Sequence, residues 1–204
     1  MVVDNSSAYR MDPNVPLVVP EVNPDDARAH KGIIANPNCS TIIMAVPLWP
    51  LHKAFGIQRL VVSTYQAASG AGAAAMDELA DQAKCWAAGK PVDQWPQDIW
   101  GRQYAFNLFS HDSPIESNLY NQGEQNGEVC NAEHTEQNTC SLVPLTEEMK
   151  MVNETGKIFH DDDIRVTATC IRVPVLRAHC EDLNIQFRSN ASVEAVREAL
   201  QGGE

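Results

Sequence analysis

The amino-acid sequence predicts an α+β fold in which a mixed β-sheet is covered by helices. Segments rich in Val and Ile alternate with helical segments, which is typical of domains that combine both element types. The alternation lacks the regular spacing of a doubly wound βαβ domain, which favours a sheet with mixed strand directions. With 204 residues and 44% hydrophobic composition, the chain can bury one substantial core.

Composition excludes several classes of function. The formal net charge of −12 is spread along the chain without any basic stripe, which argues against nucleic-acid binding. No apolar stretch approaches the ~20 residues of a membrane span, and the N-terminus lacks the features of a signal peptide. We therefore expect no membrane partner and a location in the cytoplasm, or in a plastid if the source is eukaryotic.

The cysteines predict neither a metal site nor a disulfide framework. None of them forms a CxxC pair or the CxxC…H arrangement that structural zinc requires. We therefore predict that no metal is bound and that all six thiols are reduced: Cys39, Cys85, Cys130, Cys140, Cys170 and Cys180.

The N-terminal elements are short. The residues 2–4 resemble the end of a strand, as if something upstream were missing, and Val15 to Val22 predicts an extended segment. A short helix should follow, with Asn23 as its N-cap and Pro24 at its first position. Gly32 to Ala35 predicts a brief apolar strand.

A buried helix is expected to begin at Cys39. The turn before it is Asn36-Pro37-Asn38, and an apolar run follows as far as Val46. Pro47 and Pro50 should end or kink this helix, because proline lacks the N–H that the helix needs.

A strand–turn–helix unit comes next. Ile57 to Tyr65 predicts a core strand, Ser69 to Gly72 a turn, and the Ala-rich stretch after it a helix ending near Ala88. Gly89 to Pro144 is polar and broken by Gly and Pro, so little regular structure is expected there. The last third should hold a helix with Thr146 as N-cap that ends near Phe159, two β-rich segments at 164–175 and 182–188, and a helix at 193–200 capped by Ser192.

The thiol of Cys39 is the strongest chemical feature. At the first turn of a helix, backbone N–H groups and the helix dipole favour a thiolate, and the same groups could face an oxyanion formed on an attacked carbonyl. Most cysteines beside an apolar helix are simply small core residues. Here the thiol follows a short strand and a Pro-Asn turn, which favours a low-pKa nucleophile that alkylates faster than the other cysteines.

Several ordered motifs resemble those of aspartate-semialdehyde dehydrogenases, over nearly the whole chain apart from the Asn-rich segment. The catalytic motif of that family is similar to Asn38-Cys39-Ser40-Thr41, and the next is similar to the residues 64–70. The other similar stretches are the residues 4–11, Glu147-Glu148-Met149-Lys150 with Glu154-Thr155 and Lys157-Ile158, and Arg172-Val173-Pro174-Val175-Leu176-Arg177-Ala178-His179.

The resemblance implies a role for each matching residue. Cys39 would be the nucleophile that becomes an acyl-thioester, His179 its general acid/base, and Gln66 the side chain that orients the substrate. Substrate and phosphate would be bound by a polar set in which Arg172 takes the carboxylate and Glu147 the amino group: Arg10, Asn38, Glu147, Lys150 and Arg172. Ser69 and Gly70 would touch the cofactor, NADP.

Alternative roles exist for some of these residues. Glu147 and Lys150 share a helical turn and could form an ordinary i,i+3 ion pair. Gly70-x-Gly72-x-x-Ala75 fits a dinucleotide fingerprint, but no second strand with an acidic end follows it, so we predict that it is not one. The other histidines receive no role: His30, His52, His111, His134 and His160.

The resemblance also implies a domain organisation. The residues 1–38 would be the remnant of a Rossmann-like NADP-binding domain. The residues 39–204 would be a catalytic and dimerisation domain like the C-terminal domain of glyceraldehyde-3-phosphate dehydrogenase, with a flexible insertion at 122–144. We expect a homodimer or homotetramer joined through the sheet.

The implied function is the interconversion of aspartyl phosphate and aspartate semialdehyde with NADP(H), in lysine, threonine and methionine biosynthesis. Without most of the cofactor domain, these residues alone should turn over little substrate, and a chain extended upstream should be active. The alternatives are a module that only dimerises and a related N-acyl-amino-acid phosphate reductase. A Cys-His hydrolase would leave Arg10, Gln66 and Arg172 without a purpose.

Overall fold

The N-terminal segment forms a small parallel sheet. In the computed structural model, which describes residues 1–111 and 147–202, β1 (Val2–Asp4) pairs with β2 (Ile33–Ala35). Leu17, in the extended segment between them, forms a parallel bridge to Ala35. The predicted strands at both ends of this segment are therefore present.

The cap predicted for the first short helix is wrong. A 3-10 helix spans Pro24–Ala29, but the Asn23 side chain bonds to none of its N–H groups. Instead, Asn23 Oδ1 accepts from the Val19 N–H at 2.8 Å, and Nδ2 donates to the Leu17 carbonyl at 2.9 Å. These buried backbone groups need partners, and satisfying them outweighs capping a helix end that water can reach.

The main sheet has four strands and mixed directions, as predicted. The strands are β3 (Ile57–Gln66), β4 (Phe109–Ser110), β5 (Arg165–Arg172) and β6 (Cys180–Phe187). Their order in space is β4-β5-β3-β6, with β3 parallel to β5 and the two outer pairs antiparallel. The strand after Gly70-x-Gly72 is β4, and it runs antiparallel to β5 and therefore also to β3. A βαβ unit needs two parallel strands, so this glycine pair does not open one.

Helices cover one face of this sheet. The described helices are α1 (Cys39–Phe55), α2 (Ala73–Ala87), α3 (Glu147–Phe159) and α4 (Val193–Gln201). α1 contacts β3 and β6, α3 contacts β5, and α4 packs on α1. Ser192 Oγ accepts from the Ala195 N–H at 3.1 Å, so the predicted cap of the last helix is confirmed. Thr146, the predicted cap of α3, lies outside the described residues.

The prolines do not end α1, which runs through Pro47 and Pro50 to Phe55. The carbonyls that lose an N–H partner belong to Ile43 and Val46, which lie on the exposed side of the helix where water can replace the missing donor. The opposite side is anchored in the core by Met44 and Leu48. Packing of that side therefore outweighs the local preference of proline.

One apolar core joins the N-terminal segment to the sheet and helices. Val15, Leu17 and Val19 belong to the same buried cluster as Met44, Leu60 and Ile158. The domain boundary predicted at residue 38 remains a prediction, but the residues on both sides of it share this core. A second cluster packs α2 against the loop after it through Leu79, Trp95, Trp100 and Tyr104.

The other face of the sheet, which we call the open face, is exposed or half-buried. It carries the alternate residues of the strands, including Val61 and Tyr65 of β3, Thr167 and Ile171 of β5, and Asn184 of β6. Along residues 1–111 and 147–202, none of the helices has both the length and the apolar character needed to cross a bilayer.

Lys157 fastens the N-terminal segment to α3. Its ammonium donates to the carbonyls of Arg10, Asp12 and Val15 at 2.8, 2.8 and 2.9 Å. Lys157→Met should lower the free energy of unfolding by about 2–3 kcal/mol, because three carbonyls lose a charged donor together.

Urea unfolding of both the parent chain and the variant measures this loss. The matched control is Lys84→Met, which removes an exposed ammonium that pairs with the exposed Asp81 and should leave the midpoint unchanged. Equal midpoints for the two variants would show that the three bonds at Lys157 do not hold the segment.

Candidate active site

A polar cleft of about 580 Å³ lies where β3 and β5 end and α1 and α3 begin. All residues that the sequence predicted for the site line this one cleft: Arg10, Asn38, Cys39, Gln66, Ser69, Gly70, Glu147, Lys150, Arg172 and His179. The fold therefore brings them together from distant parts of the chain. Their individual roles remain predictions.

Asn38 is the N-cap of α1 and orients the start of the helix. Its Oδ1 accepts from the N–H groups of Ser40 and Thr41, at 2.9 and 3.4 Å. The sequence predicted that the N–H groups of this helix would face an oxyanion in the cleft. For these two groups the prediction is wrong, because the cap already uses them.

Glu147, the first residue of α3, is a buried carboxylate surrounded by donors. Its oxygens accept from Asn38 Nδ2 at 2.8 Å, Gln66 Nε2 at 3.3 Å and Lys150 Nζ at 3.2 Å. Burial opposes ionisation, but the charge that His111 carries at acidic pH, the Asn38 donor and Lys150 together hold the pKa of Glu147 below its usual value. The i,i+3 ion pair foreseen for Glu147 and Lys150 thus exists, and it lies in the cleft.

Glu154, two turns further along α3, connects Arg10 to the segment before the thiol. Its Oε1 accepts from Arg10 Nη1 at 3.2 Å, and its Oε2 accepts from the Asn38 backbone N–H at 2.7 Å. Arg10 also donates to the carbonyls of Asn36 and Asn5, at 3.0 and 3.1 Å. Burial raises the pKa of Glu154 despite these donors.

Gln66 and Arg172 are register partners at the ends of the parallel strands β3 and β5. Gln66 Nε2 donates to Ser40 Oγ at 2.9 Å, which fixes its amide above the start of α1. Arg172 Nη1 donates to the Ala67 carbonyl at 3.0 Å, and its guanidinium lies 5.5 Å from the centre of the Trp100 ring. Both buried side chains therefore point into the cleft in defined orientations.

The His179 ring is held by the backbone. The Ala67 N–H donates to Nδ1 at 3.0 Å, so in the neutral ring the hydrogen is on Nε2. Burial and the charge of Arg172 lower the pKa of His179. A Cβ on Gly70 would come within 3.2 Å of the ring and of Arg172 Nη1, so only glycine leaves both groups undisturbed.

The thiol of Cys39 is exposed in the cleft, but the low pKa predicted for it is wrong. Surrounding protein atoms disfavour the charged form and the Glu147 carboxylate repels it, and both effects raise the pKa of Cys39. The Ser40 donors and Arg172 act in the opposite direction without outweighing them. The pKa shift is larger at Cys170, where burial raises the pKa of the thiol to about 12. The described cysteines Cys39, Cys85, Cys170 and Cys180 are unpaired, whereas Cys130 and Cys140 lie outside the described residues.

Comparison with known proteins assigns the chain to a family. Residues 48–204 match the model described as the dimerisation domain of semialdehyde dehydrogenase, and residues 1–30 match its NAD binding domain. The chain belongs to the semialdehyde dehydrogenase family. The NAD binding match agrees with the Rossmann-like remnant predicted at the N-terminus.

Named relatives of the chain support the assignment. It is 50% identical to aspartate-semialdehyde dehydrogenase of Synechocystis sp. over 98% of the chain and 51% of the relative. Its fold resembles the Vibrio cholerae aspartate semialdehyde dehydrogenase II described as complexed with ASA, with a TM-score of 0.79 and 38% identity over 99% of this chain and 53% of that one. The chain thus spans about half the length of the relatives it matches.

Three residues that contact the side chains of this site received no individual role from the sequence. His111 received no role, yet it lines the cleft and accepts from Arg172 Nη2 at 2.8 Å. Ser40 and Glu154 lie within the motifs, but no local sequence pattern indicates the contacts of Ser40 with Gln66 and of Glu154 with Arg10. His52 and His160 instead pair with Asp161 and Asp26, outside the cleft, and His134 lies outside the described residues.

Glu147→Gln should increase the reactivity of Cys39. Removing the carboxylate charge lowers the pKa of the thiol, so more thiolate is present near neutral pH, and alkylation should become roughly three- to tenfold faster. Iodoacetamide labelling resolved by peptide mass spectrometry measures this rate across pH, and the midpoint of the profile should move down.

Cys85 in the same samples is the internal control, since it is partly exposed on α2 and belongs neither to the cleft lining nor to the sheet. An unchanged or slower rate at Cys39 would show that the carboxylate does not repel the thiolate.

Proposed function

We propose that this chain is the catalytic and dimerisation part of an NADP-dependent aspartate-semialdehyde dehydrogenase. It would interconvert aspartyl phosphate and aspartate semialdehyde through a thioester on Cys39, in the cytoplasm, as a step of lysine, threonine and methionine biosynthesis. The observation that carries the proposal is the convergence of all the predicted site residues on one cleft around an exposed thiol. The names of the relatives support the choice of substrate.

Arg172 and Glu147 suit the two charged groups of an amino acid. A guanidinium recognises a carboxylate through parallel N–H donors, and an ionised carboxylate recognises an ammonium group. Arg172 lies at the end of β5 and Glu147 at the start of α3, with Gln66 between them as register partner of one and donor to the other. A substrate held at both ends would present its side-chain carbon to Cys39.

Arg10 and Lys150 are the cations proposed to bind phosphate. The three nitrogens of the Arg10 guanidinium are each tied to the protein, so this cation is placed before any ligand arrives. Lys150 is placed by its bond to Glu147. Binding to preset cations costs little side-chain entropy, which suits the small, mobile phosphate ion.

The covalent step uses Cys39 and His179. The thiolate would add to the acyl carbon of aspartyl phosphate, a C–S bond would form, and phosphate would leave with the electrons of the broken C–O bond. The thiol must first lose its proton, whereas after reduction of the thioester the oxyanion left on the Cys39 adduct would re-form C=O and expel the thiolate, so this collapse needs no proton transfer. The Nε2–H of His179 can stabilise that oxyanion by a hydrogen bond.

The tautomer of His179 restricts its predicted acid/base role. To accept a proton at Nε2, the ring would have to carry its hydrogen on Nδ1 and lose the bond from the Ala67 N–H. The geometry therefore supports a neutral hydrogen-bond donor better than a general base. A neutral imidazole is also what the lowered pKa of His179 favours.

NADP is the cofactor that we propose, and when bound it would supply or accept the hydride. The described residues fit the nicotinamide end of the cofactor, because Ser69 and Gly70 line the cleft. A side chain at Gly70 would lie within 3.2 Å of His179 and Arg172, so the residue offers only backbone atoms to a ligand. Ser69 and Gly70 would thus help to hold the nicotinamide ring close to the Cys39 adduct. The family model matched by residues 1–30 is an NAD binding domain, in accord with a nucleotide cofactor.

The covalent half of the reaction can be tested without cofactor. Aspartate semialdehyde should add to the Cys39 thiol and form a thiohemiacetal. At saturation this adduct should slow alkylation by iodoacetamide at least about fivefold, because its sulfur cannot ionise to the thiolate that reacts. Cys85, which lies on α2, should label at an unchanged rate. Protection of both cysteines, or of neither, would contradict a specific thiohemiacetal.

Turnover tests the complete proposal. With aspartate semialdehyde, phosphate and NADP supplied to an active enzyme that contains this chain, Cys39→Ser should lower NADPH formation by a factor on the order of a thousand or more, since a hydroxyl is a far weaker nucleophile at neutral pH. Activity of this variant close to that of the parent would exclude the thioester route.

We also propose that the open face joins two copies of the chain. None of the described helices covers this face of the sheet, and apolar side chains such as Val61 and Tyr65 are partly exposed on it. The family model that covers the sheet is named a dimerisation domain. Val61→Glu should shift the sedimentation of the chain from dimer to monomer at micromolar concentration.

Val92→Glu is the matched control, because Val92 is an exposed valine in the 3-10 helix Val92–Gln94, away from the sheet. A parent chain that sediments only as a monomer, or a Val61→Glu variant that remains dimeric, would contradict this interface. A homotetramer would appear as a larger species in the parent and the control.

A further inference from the structure

His111 occupies a defined place beside the proposed carboxylate ligand. It follows β4, and its backbone N–H donates to the Cys170 carbonyl at 2.9 Å, so it extends the pairing of β4 with β5. Its half-buried side chain lines the cleft, and its Nε2 lies 2.8 Å from Arg172 Nη2. Nothing in the proposed chemistry so far uses this ring.

The contact determines which form of His111 is present. An arginine side chain is protonated at any physiological pH and offers only donors. Nε2 of His111 must therefore accept, which requires a neutral ring with its hydrogen on Nδ1. A protonated ring would instead place an N–H against the guanidinium and add a second positive charge.

A neutral acceptor is the appropriate partner for an arginine that must bind an anion. The Ala67 carbonyl on Nη1 and His111 on Nη2 both help to orient Arg172, and neither of these two groups carries a negative charge. Had an aspartate or glutamate taken the place of His111, it would neutralise the guanidinium and compete with a substrate carboxylate. The nearby carboxylate of Glu147 is already engaged by Asn38, Gln66 and Lys150.

We infer that His111 is a positioning residue that gives the cleft its specificity for substrates with a carboxylate, by orienting Arg172 without reducing its charge. The inference rests on the proposed function in one respect, namely that Arg172 binds the substrate carboxylate. His111 is described as acting through Arg172, and no contact of its own with the substrate is required.

The test compares three aldehydes as protectors of Cys39 against iodoacetamide. Aspartate semialdehyde carries a carboxylate and an amine, succinic semialdehyde only the carboxylate, and 3-aminopropanal only the amine. The variants are His111→Leu, which removes the acceptor at similar size, and His111→Gln, whose Oε1 can accept from Arg172 near the position of Nε2.

His111→Leu should raise the half-protecting concentration of both carboxylate aldehydes by about tenfold, as expected for loss of one hydrogen bond to a charged group. It should leave that of 3-aminopropanal unchanged. His111→Gln should bring the carboxylate aldehydes back to within about threefold of the parent chain.

Two results would overturn the inference: an equal loss of protection by all three aldehydes, which marks a merely structural role, or no loss with His111→Leu. The proposed function fails separately. If succinic semialdehyde protects the parent chain and aspartate semialdehyde does not, the aspartyl substrate is wrong while the role of His111 is still decided by the other two aldehydes. If no aldehyde protects the parent chain, both proposals fall.

Discussion

The site depends on two hydrogen bonds that carboxylates of α3 accept from Asn38. Glu154 accepts the backbone N–H of Asn38 at 2.7 Å, and Glu147 accepts its side-chain amide at 2.8 Å. The free oxygen of that amide can then only face α1, where it caps the helix and places Cys39 at its first position. The same carboxylates orient Arg10 and Gln66. Since both carboxylates are buried and each has at least two donors, the loss of one donor would raise the cost of a buried charge and so affect the other groups that it orients.

The parts of the site that sequence could predict are those carried by local patterns. A Pro-Asn turn before an apolar run marks the start of α1, and a Val- and Ile-rich run marks β3, so the positions of Cys39 and Gln66 followed from neighbouring residues. The convergence of distant motifs such as those around Arg172 and His179 followed from resemblance to a family, because no local rule brings together residues from separate strands.

What could not be predicted depends on contacts across the chain. The sequence shows Asn38 and Cys39 side by side, but it does not show that a carboxylate from α3 approaches them, so the helix dipole seemed to decide the pKa of the thiol. It does not show that β4 pairs with β5 in the register that places His111 against Arg172. It also does not show that the packing of one side of α1 outweighs the tendency of Pro47 and Pro50 to end a helix. In each case a tertiary interaction outweighs a local preference.

The backbone of Ala67 orients two side chains of the cleft, Arg172 and His179. Ala67 accepts from Arg172 through its carbonyl and donates to His179 through its N–H, so the peptide groups after β3 orient a cation and keep a neighbouring imidazole neutral. His111 meets Arg172 as a second neutral acceptor. A substrate carboxylate is bound more strongly by a cation that neutral groups hold in place. The Ala67 carbonyl and the His111 ring do this for Arg172, whereas Arg10 and Lys150 are each held by a carboxylate of α3.

The thiol of Cys39 is not strongly ionised at rest, because burial and the Glu147 carboxylate oppose its thiolate. A substrate ammonium that neutralises Glu147 would remove the second of these effects, so binding of the correct amino acid would itself favour the reactive form of Cys39.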